Sequence, residues 1–397
     1  MIVEIFCYLL GTVVSILSLY LFIITIASFT FRKKTVNGGK LNKFIVLIPA
    51  HNEELVIHHT LESFKSLNYP QRSIRVIVLA DNCNDKTAEV CRAYGVEVVE
   101  RHDPDHRGKA YALNYFIDKH ANLLDGYDAV TVVDADTLVD ADYFRHISES
   151  LNHDEVQIAQ GYYGISNPRM GWMTAFMDAA FSVFNHVRPA GRIALGGSMS
   201  LKGNGMTFKK DVFLQAHGPV DAITQDLELT IKLLTDYGIT VDYNPEAVVY
   251  AEAPNSRNAA DSQRSRWEVG RLYTFEKWGG KLWKRFTSVR QFKYLDAILD
   301  LLVPPLALVV MFQLIFLTLS IWIGNPILLL ISLVSILATT IYVVSGMIMR
   351  KCSLYTWLSI FKLPYFLVWK VGIYIKLMVS RRLTEFTRTK RNLEVHS

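Results

Sequence analysis

Residues 129–136 read Ala129-Val130-Thr131-Val132-Val133-Asp134-Ala135-Asp136. A run so short and β-branched reads as a buried sheet strand. Two carboxylates then stand at its C-terminal end, the edge where open α/β sheets bind ligands. Paired acidic oxygens at such an edge suit a hard divalent cation, Mg²⁺ or Mn²⁺, which can in turn hold a diphosphate. Taken alone, the same residues are equally well an acidic turn after a strand.

The pattern recurs along the chain. Phe44 to Ile48 is an apolar run ending in Pro49-Ala50-His51-Asn52-Glu53-Glu54, and Ile74 to Leu79 is another, ending in Ala80-Asp81-Asn82-Cys83-Asn84-Asp85. Between the runs, Ile57, Leu61 and Phe64 fall on one helical face, and Asp85 is placed to cap a helix ending near Gly95. The spacing predicts an α/β domain over residues 40–258, built on a mostly parallel sheet with its polar chemistry on one edge.

Composition makes the sheet only part of the protein. The 397 residues are 51% hydrophobic and 20% charged, too apolar for an ordinary soluble enzyme and too charged to be all membrane. Residues 1–31 form a run long enough to cross a bilayer of about 30 Å. They lack the basic start and short apolar core of a cleaved signal peptide. Arg32-Lys33-Lys34 follow at once, which places the central domain in the cytoplasm by the positive-inside rule. Within 296–349, Ala297 to Ile323 and Pro326 to Met349 read as two further spans, the second ending at Arg350-Lys351. Residues 354–379 carry Lys362, Lys370, Lys376 and Pro364 and precede a basic tail, 380–397. Charges inside a lone span are costly, so an interfacial or re-entrant segment is favoured over a third C-terminal span.

The net charge of +5 is modest, and its local excess flanks apolar segments, which fits anchoring to anionic membrane lipid; no nucleic-acid-binding module is recognisable. Four cysteines, Cys7, Cys83, Cys91 and Cys352, show neither a metal nor a disulfide spacing.

Two more motifs carry chemistry. In Thr224-Gln225-Asp226-Leu227-Glu228, Thr224 is a good N-cap, Leu227, Ile231 and Leu234 share a face, and Gly238 closes the helix. Asp226 in that first turn is either a helix-dipole carboxylate, worth at most about 1 kcal/mol, or a general base kept ionised by the same dipole. In Gln263-Arg264-Ser265-Arg266-Trp267, within the basic and aromatic stretch 259–290, the plain reading is an amphipathic helix lying on the membrane surface. The site reading makes Arg266 a diphosphate ligand, Gln263 a hydrogen-bonding group and Trp267 a platform for a sugar. Both readings hold together.

The ordered set Pro49-Ala50-His51-Asn52-Glu53-Glu54, Asp81, Asp134-Ala135-Asp136, Gln225-Asp226 and Gln263-x-x-Arg266-Trp267, between membrane spans, resembles the membrane-integrated family 2 glycosyltransferases. These include cellulose, hyaluronan, chitooligosaccharide and poly-N-acetylglucosamine synthases. The resemblance implies a GT-A domain, the fold of nucleotide-diphospho-sugar transferases, that uses a UDP-sugar donor and Mg²⁺ or Mn²⁺. It implies that Asp81 contacts the uridine with Ala50, Asn52 and Glu54 beside it, and that Lys109 lies near the nucleotide. Asp134 would bind the nucleotide, Asp136 the metal on its diphosphate, and Asp226 would be the base. Gln263, Arg266 and Trp267 would hold the diphosphate and the acceptor sugar. Gly203-Asn204-Gly205 resembles an acceptor-side loop, and a glycine turn accounts for it equally well.

One residue departs from the pattern: Gln225 stands where the family usually has Glu, so a charge is lost and a hydrogen-bonding shape kept. The chemistry implied is a single in-line displacement that inverts the anomeric carbon. Three functions compete: a processive synthase of a β-linked polysaccharide, a single-addition transferase on a lipid-linked acceptor, and a non-catalytic membrane component. The Gln-x-x-Arg-Trp motif favours the first. So few spans make a thin wall for a polymer channel, which the segment 354–379 or a partner chain, in a homo-oligomer or as a secretion partner, would complete. Nothing in the sequence selects glucose over N-acetylglucosamine.

Overall fold

The computed structural model describes residues 2–36, 38–216, 218, 225–254 and 257–379, with side chains outside 257–265 and 373–379. The described residues form two compact units: those within 32–167 and 198–253, and those within 2–31, 168–197 and 254–379.

The first unit is built on an eight-stranded sheet. Its strands are β1 (Phe44–Ala50), β2 (Ile74–Asp81), β3 (Glu97–Arg101), β4 (Ala129–Val132), β5 (Thr137–Val139), β6 (Ile158–Ile165), β7 (Met206–Lys209) and β8 (Val241–Ala251), in the spatial order β3-β2-β1-β4-β7-β6-β8-β5. The pairs β3/β2, β2/β1, β1/β4 and β6/β8 are parallel, and β7 enters antiparallel between β4 and β6. Strands β1 and β4 run as near-continuous buried residues, as strands covered on both faces do. The helix Ile57–Lys65 buries Ile57, Leu61 and Phe64, the face read from the sequence. Phe64 joins Phe44, Tyr69 and Phe144 in an aromatic core, with the Phe44 and Phe144 ring centroids 5.0 Å apart. Asp85 Oδ1 accepts the Thr87 N–H at 3.0 Å at the start of the helix Thr87–Ala93. Gly238, at φ +70°, ends the helical stretch that begins at Gln225. Thr224 lies outside the described residues.

In the second unit, three helices among the described residues are long and apolar enough to cross a membrane: Ile2–Thr30, Leu306–Ile323 and Pro326–Met349. One amide ties them together. Gln313 Nε2 donates to Ser18 Oγ at 3.0 Å, Thr339 Oγ1 at 2.7 Å and the Ser335 carbonyl at 2.9 Å. Such interhelical bonds satisfy polar groups away from water.

Two boundaries differ from the sequence reading. The span expected from Ala297 begins at Leu306 instead, after a separate helix Phe292–Leu302. Pro304-Pro305 cannot continue the hydrogen-bond ladder, and the preceding Val303 is extended. Residues Pro168–Gly197, expected inside the α/β domain, group with the helical unit. Arg188 and Arg192 of that segment explain why. Arg188 Nη2 lies 2.7 Å from Asp300 Oδ1, and Arg192 binds Asp296 at 2.8 Å and Asp300 at 2.9 Å, all four residues buried. These partners stand more than a hundred residues apart in the chain. The stretch 354–379 is divided into Leu354–Ser359, a tight turn Ile360–Lys362 and Leu363–Val379.

Candidate active site

In the α/β unit, the expected site residues cluster at the C-terminal ends of β1, β2 and β4. Asn52 and Asn82 both adopt positive φ, +56° and +53°, a conformation asparagine tolerates, and their side chains knit the loops together. Asn52 Oδ1 accepts the Asn84 N–H at 2.9 Å, and Asn82 Oδ1 accepts that of Asp103 at 2.7 Å. The Ala50 carbonyl accepts from Cys83 Sγ at 3.4 Å, and Glu54 Oε2 accepts the Lys86 N–H at 2.9 Å. A recess of about 460 Å³ opens beside these loops, bordered by His51, Asn52, Asn82, Cys83 and His102. That volume falls in the range of small-molecule sites.

Asp81 closes β2, and its carboxylate is heavily engaged. Oδ1 accepts from Arg101 Nη1 at 2.6 Å and Asn82 Nδ2 at 3.1 Å, while Oδ2 accepts the Gly108 N–H at 3.1 Å. Asp81 and Arg101 are both buried, so this ion pair also holds β2 to β3. Arg101 was not singled out in the sequence, since an arginine ending a short strand carries no local mark of its partner.

Gly108 leads into the helix Lys109–His120. Lys109 Nζ lies 2.6 Å from Asp134 Oδ1 and also donates to the Gly203 carbonyl. Gly203, at φ +79°, belongs to the Gly203-Asn204-Gly205 turn, and a Cβ built on it would stand 3.5 Å from Asp226 Oδ2. Asn204, fully buried, accepts the Asp134 N–H at 3.2 Å and donates to Thr137 Oγ1 at 2.7 Å. Hydrogen bonds thus join Asp134, Lys109 and the glycine turn, and Asp226 lies beside that turn within electrostatic reach of Lys109. The turn is more than a chain reversal, because its carbonyl and its asparagine both bind site residues.

Gln160, a buried amide in β6 missed by the reading of the sequence, organises this turn. Its Nε2 donates to the carbonyls of Asn204 at 2.8 Å and Gly205 at 3.0 Å, and its Oε1 accepts the Lys202 N–H at 3.1 Å. The available signal was a polar residue inside an otherwise buried strand. Gln225 also gains an account. Its Oε1 accepts the Ala110 N–H at 3.2 Å in the first turn of the Lys109 helix, a bond that an uncharged amide makes as well as a carboxylate.

Asp226 is half-buried in the first turn of the helix Gln225–Lys232. Burial pushes its carboxyl above the ordinary range, against the lowering effects of the Leu227 N–H and the Lys109 and Lys202 ammonium groups. Asp134 and Asp136 are half-buried at the end of β4. Among the described residues no group of three or more His, Cys, Asp or Glu side chains stands ready to hold a metal ion. Two carboxylates at a sheet edge nevertheless fit Mg²⁺ or Mn²⁺, which commonly take one or two protein carboxylates and complete their shell with water and phosphate oxygens.

In the helical unit, Gln263, Arg266 and Trp267 lie on the helix Arg257–Val289, at i, i+3 and i+4 spacing that brings the positions to one side. Arg266 is half-buried, and burial lowers its guanidinium pKa. Trp267 is 42% exposed, its ring centroid 6.3 Å from that of Phe181.

A mixed, mostly parallel sheet with acidic residues at the ends of its parallel strands is the GT-A type of nucleotide-diphospho-sugar transferases. The model of the family described as "Glycosyltransferase like family 2" matches residues 42–270, and the chain belongs to that family. The β-monoglucosyldiacylglycerol synthase of Trichormus variabilis is 30% identical over 239 residues, 58% of this chain and 49% of that protein. The poly-β-1,6-N-acetyl-D-glucosamine synthase of Staphylococcus aureus is 28% identical over 251 residues, 60% of this chain and 57% of that protein. The chain thus aligns with about half to 60% of the length of such curated relatives. A mannosyltransferase from Pyrobaculum calidifontis, solved with GDP-Man and Mn²⁺, shares the fold with a TM-score of 0.56 at 15% identity, covering 96% of this chain and 100% of that one.

Proposed function

We propose that this chain is an inverting glycosyltransferase that moves a sugar from a UDP-sugar to a growing β-linked polysaccharide at the membrane, processively. The observation that carries the reading is the polar cluster linking Asp134, Lys109 and Gly203 at one sheet edge, with Asp226 beside it. The nucleoside takes the recess beside Asn52 and Asn82, with Asp81, held by Arg101, offering its remaining acceptor capacity to the base. Asp226 accepts the proton of the acceptor hydroxyl as that oxygen bonds to the anomeric carbon. The bond to the diphosphate breaks on the opposite face, so an α-linked donor gives a β-linked product. Lys109 and Arg266 receive the charge developing on the leaving diphosphate. A divalent cation held by Asp136, with Asp134 beside it, would supply Lewis-acid stabilisation of that same charge. Gln263 and Trp267 hold the acceptor sugar. The three apolar helices anchor the protein, with the catalytic unit in the cytoplasm.

A second reading, single addition to a lipid-linked acceptor, draws on the glucosyldiacylglycerol synthase among the relatives and on the small number of spans. One experiment separates the two. The full chain in detergent is given Mn²⁺ or Mg²⁺ with UDP-glucose, UDP-N-acetylglucosamine or GDP-mannose, and either diacylglycerol micelles or short β-linked N-acetylglucosamine oligomers. Nucleotide release is measured and products are sized. Release from one UDP-sugar with long products supports the synthase. A product one sugar longer than its acceptor supports the second reading, and no release from any combination overturns both.

A further inference from the structure

We propose that Glu268 and Lys370 are positioning residues for Trp267, and that through them the helix Leu363–Val379 is a working part of the acceptor platform. The proposal rests on the reading of Trp267 as the acceptor's aromatic surface. Trp267 is 42% exposed, and its ring centroid stands 6.3 Å from that of Phe181, toward the long end of aromatic contact. What aims the ring is the rotation of its helix about its own axis, since each residue turns the helix by about 100°.

Two contacts close to Trp267 fix that rotation. Glu268, the next residue, receives Lys370 Nζ on Oε1 at 2.5 Å. Arg271, at i+4 from Trp267 and so on the same side, donates from Nη1 to the Val303 carbonyl. Lys370 is no roaming surface lysine, being 4% exposed. Its helix is seated by Phe366 against Phe176, ring centroids 4.3 Å apart, and by Tyr365 against Trp172 at 5.3 Å. Phe366 and Leu367 also pack in one cluster with Ala307. A largely buried ion pair contributes little net stability compared with apolar side chains of similar volume, and its best-attested use is to select one register. Here the register it selects is the one that presents Trp267.

This separates a positioning role from a merely structural one. The full chain in detergent is compared as wild type, Glu268→Leu/Lys370→Leu, the charge exchange Glu268→Lys/Lys370→Glu, and Trp267→Ala. The substrates are UDP-N-acetylglucosamine with a β-linked N-acetylglucosamine oligomer, and UDP-glucose with diacylglycerol micelles. Three quantities are read: thermal stability, acceptor-free UDP release, and the acceptor KM. The double leucine variant is expected to melt at or above the wild-type temperature and to keep acceptor-free UDP release within about twofold. Its acceptor KM should rise about tenfold, the size of a typical coupling between contacting residues. The charge exchange should bring the acceptor KM back to within about threefold of wild type. A double leucine variant with wild-type acceptor KM, beside a Trp267→Ala variant that is impaired, overturns the positioning role and leaves the motif standing. A Trp267→Ala variant with unchanged acceptor KM overturns the reading of Trp267, and the positioning proposal falls with it.

Discussion

In the proposed mechanism Asp226 is the base, and its environment sets the sign of two pH effects. Because burial raises its carboxyl pKa, the ionised base is lost as pH falls through a midpoint above the ordinary Asp value of about 3.9. The acidic limb of kcat at saturating donor should therefore sit above that value. It should move further up in Lys109→Met, which removes a neighbour that lowers the pKa; a limb that moves down would contradict this electrostatic account. Stability runs the other way. A carboxyl whose folded pKa exceeds its unfolded one contributes stability below the unfolded pKa and loses it as pH rises through the folded pKa. Asp226→Asn is thus expected to leave the melting temperature at pH 7 unchanged or raise it, whereas a carboxylate serving only the helix dipole would cost up to about 1 kcal/mol when replaced. At the end of β4, Asp136→Ala should abolish the dependence of UDP binding on Mn²⁺, measured by titration calorimetry. Unchanged affinity would remove Asp136 from the metal site. Asp81 holds buried Arg101, so its substitution should destabilise the protein in addition to weakening the nucleotide binding proposed for it.

At the scale of elements, the sequence was most legible where cause is local. Strands β1, β2 and β4 announce themselves by short β-branched runs, and the acids after them mark the functional edge because strand direction alone puts them there. The short strands β5 and β7 were not legible, since Thr137–Val139 and Met206–Lys209 carry no periodic signal and exist because β8 and β4 offer them pairing partners. The same holds for Gln160, whose backbone partners Lys202, Asn204 and Gly205 lie in a turn distant in sequence. The segment Pro168–Gly197 is the largest case. Its arginines find their partners in Phe292–Leu302, a helix that the sequence reading merged into the following span. Arg192→Met leaves Asp296 without its guanidinium and is expected to destabilise by about 3–5 kcal/mol. Adding Asp296→Leu should recover much of that loss in thermal unfolding of the detergent-solubilised chain. No recovery would mean that the network acts through packing rather than charge.

For the whole molecule, the proposed topology follows from the basic clusters at 32–34, 350–351 and 381–382. The catalytic unit and the C-terminal tail are expected on the cytoplasmic side. A cysteine placed by Val395→Cys in a background without other cysteines should label only after the membrane is permeabilised; labelling from outside intact cells would make 354–379 a true span. Whether this chain inverts a sugar with Asp226 as its base is read from donor affinity, nucleotide release and product configuration in one preparation of wild type and Asp226→Asn. The account expects a β-linked product from wild type. It expects the variant to bind the UDP-sugar within about twofold of wild type and to turn over at least about 100-fold more slowly, because a general base acts on the transition state and not on donor binding. A variant that turns over like wild type, or a product that retains the donor's α configuration, would contradict it.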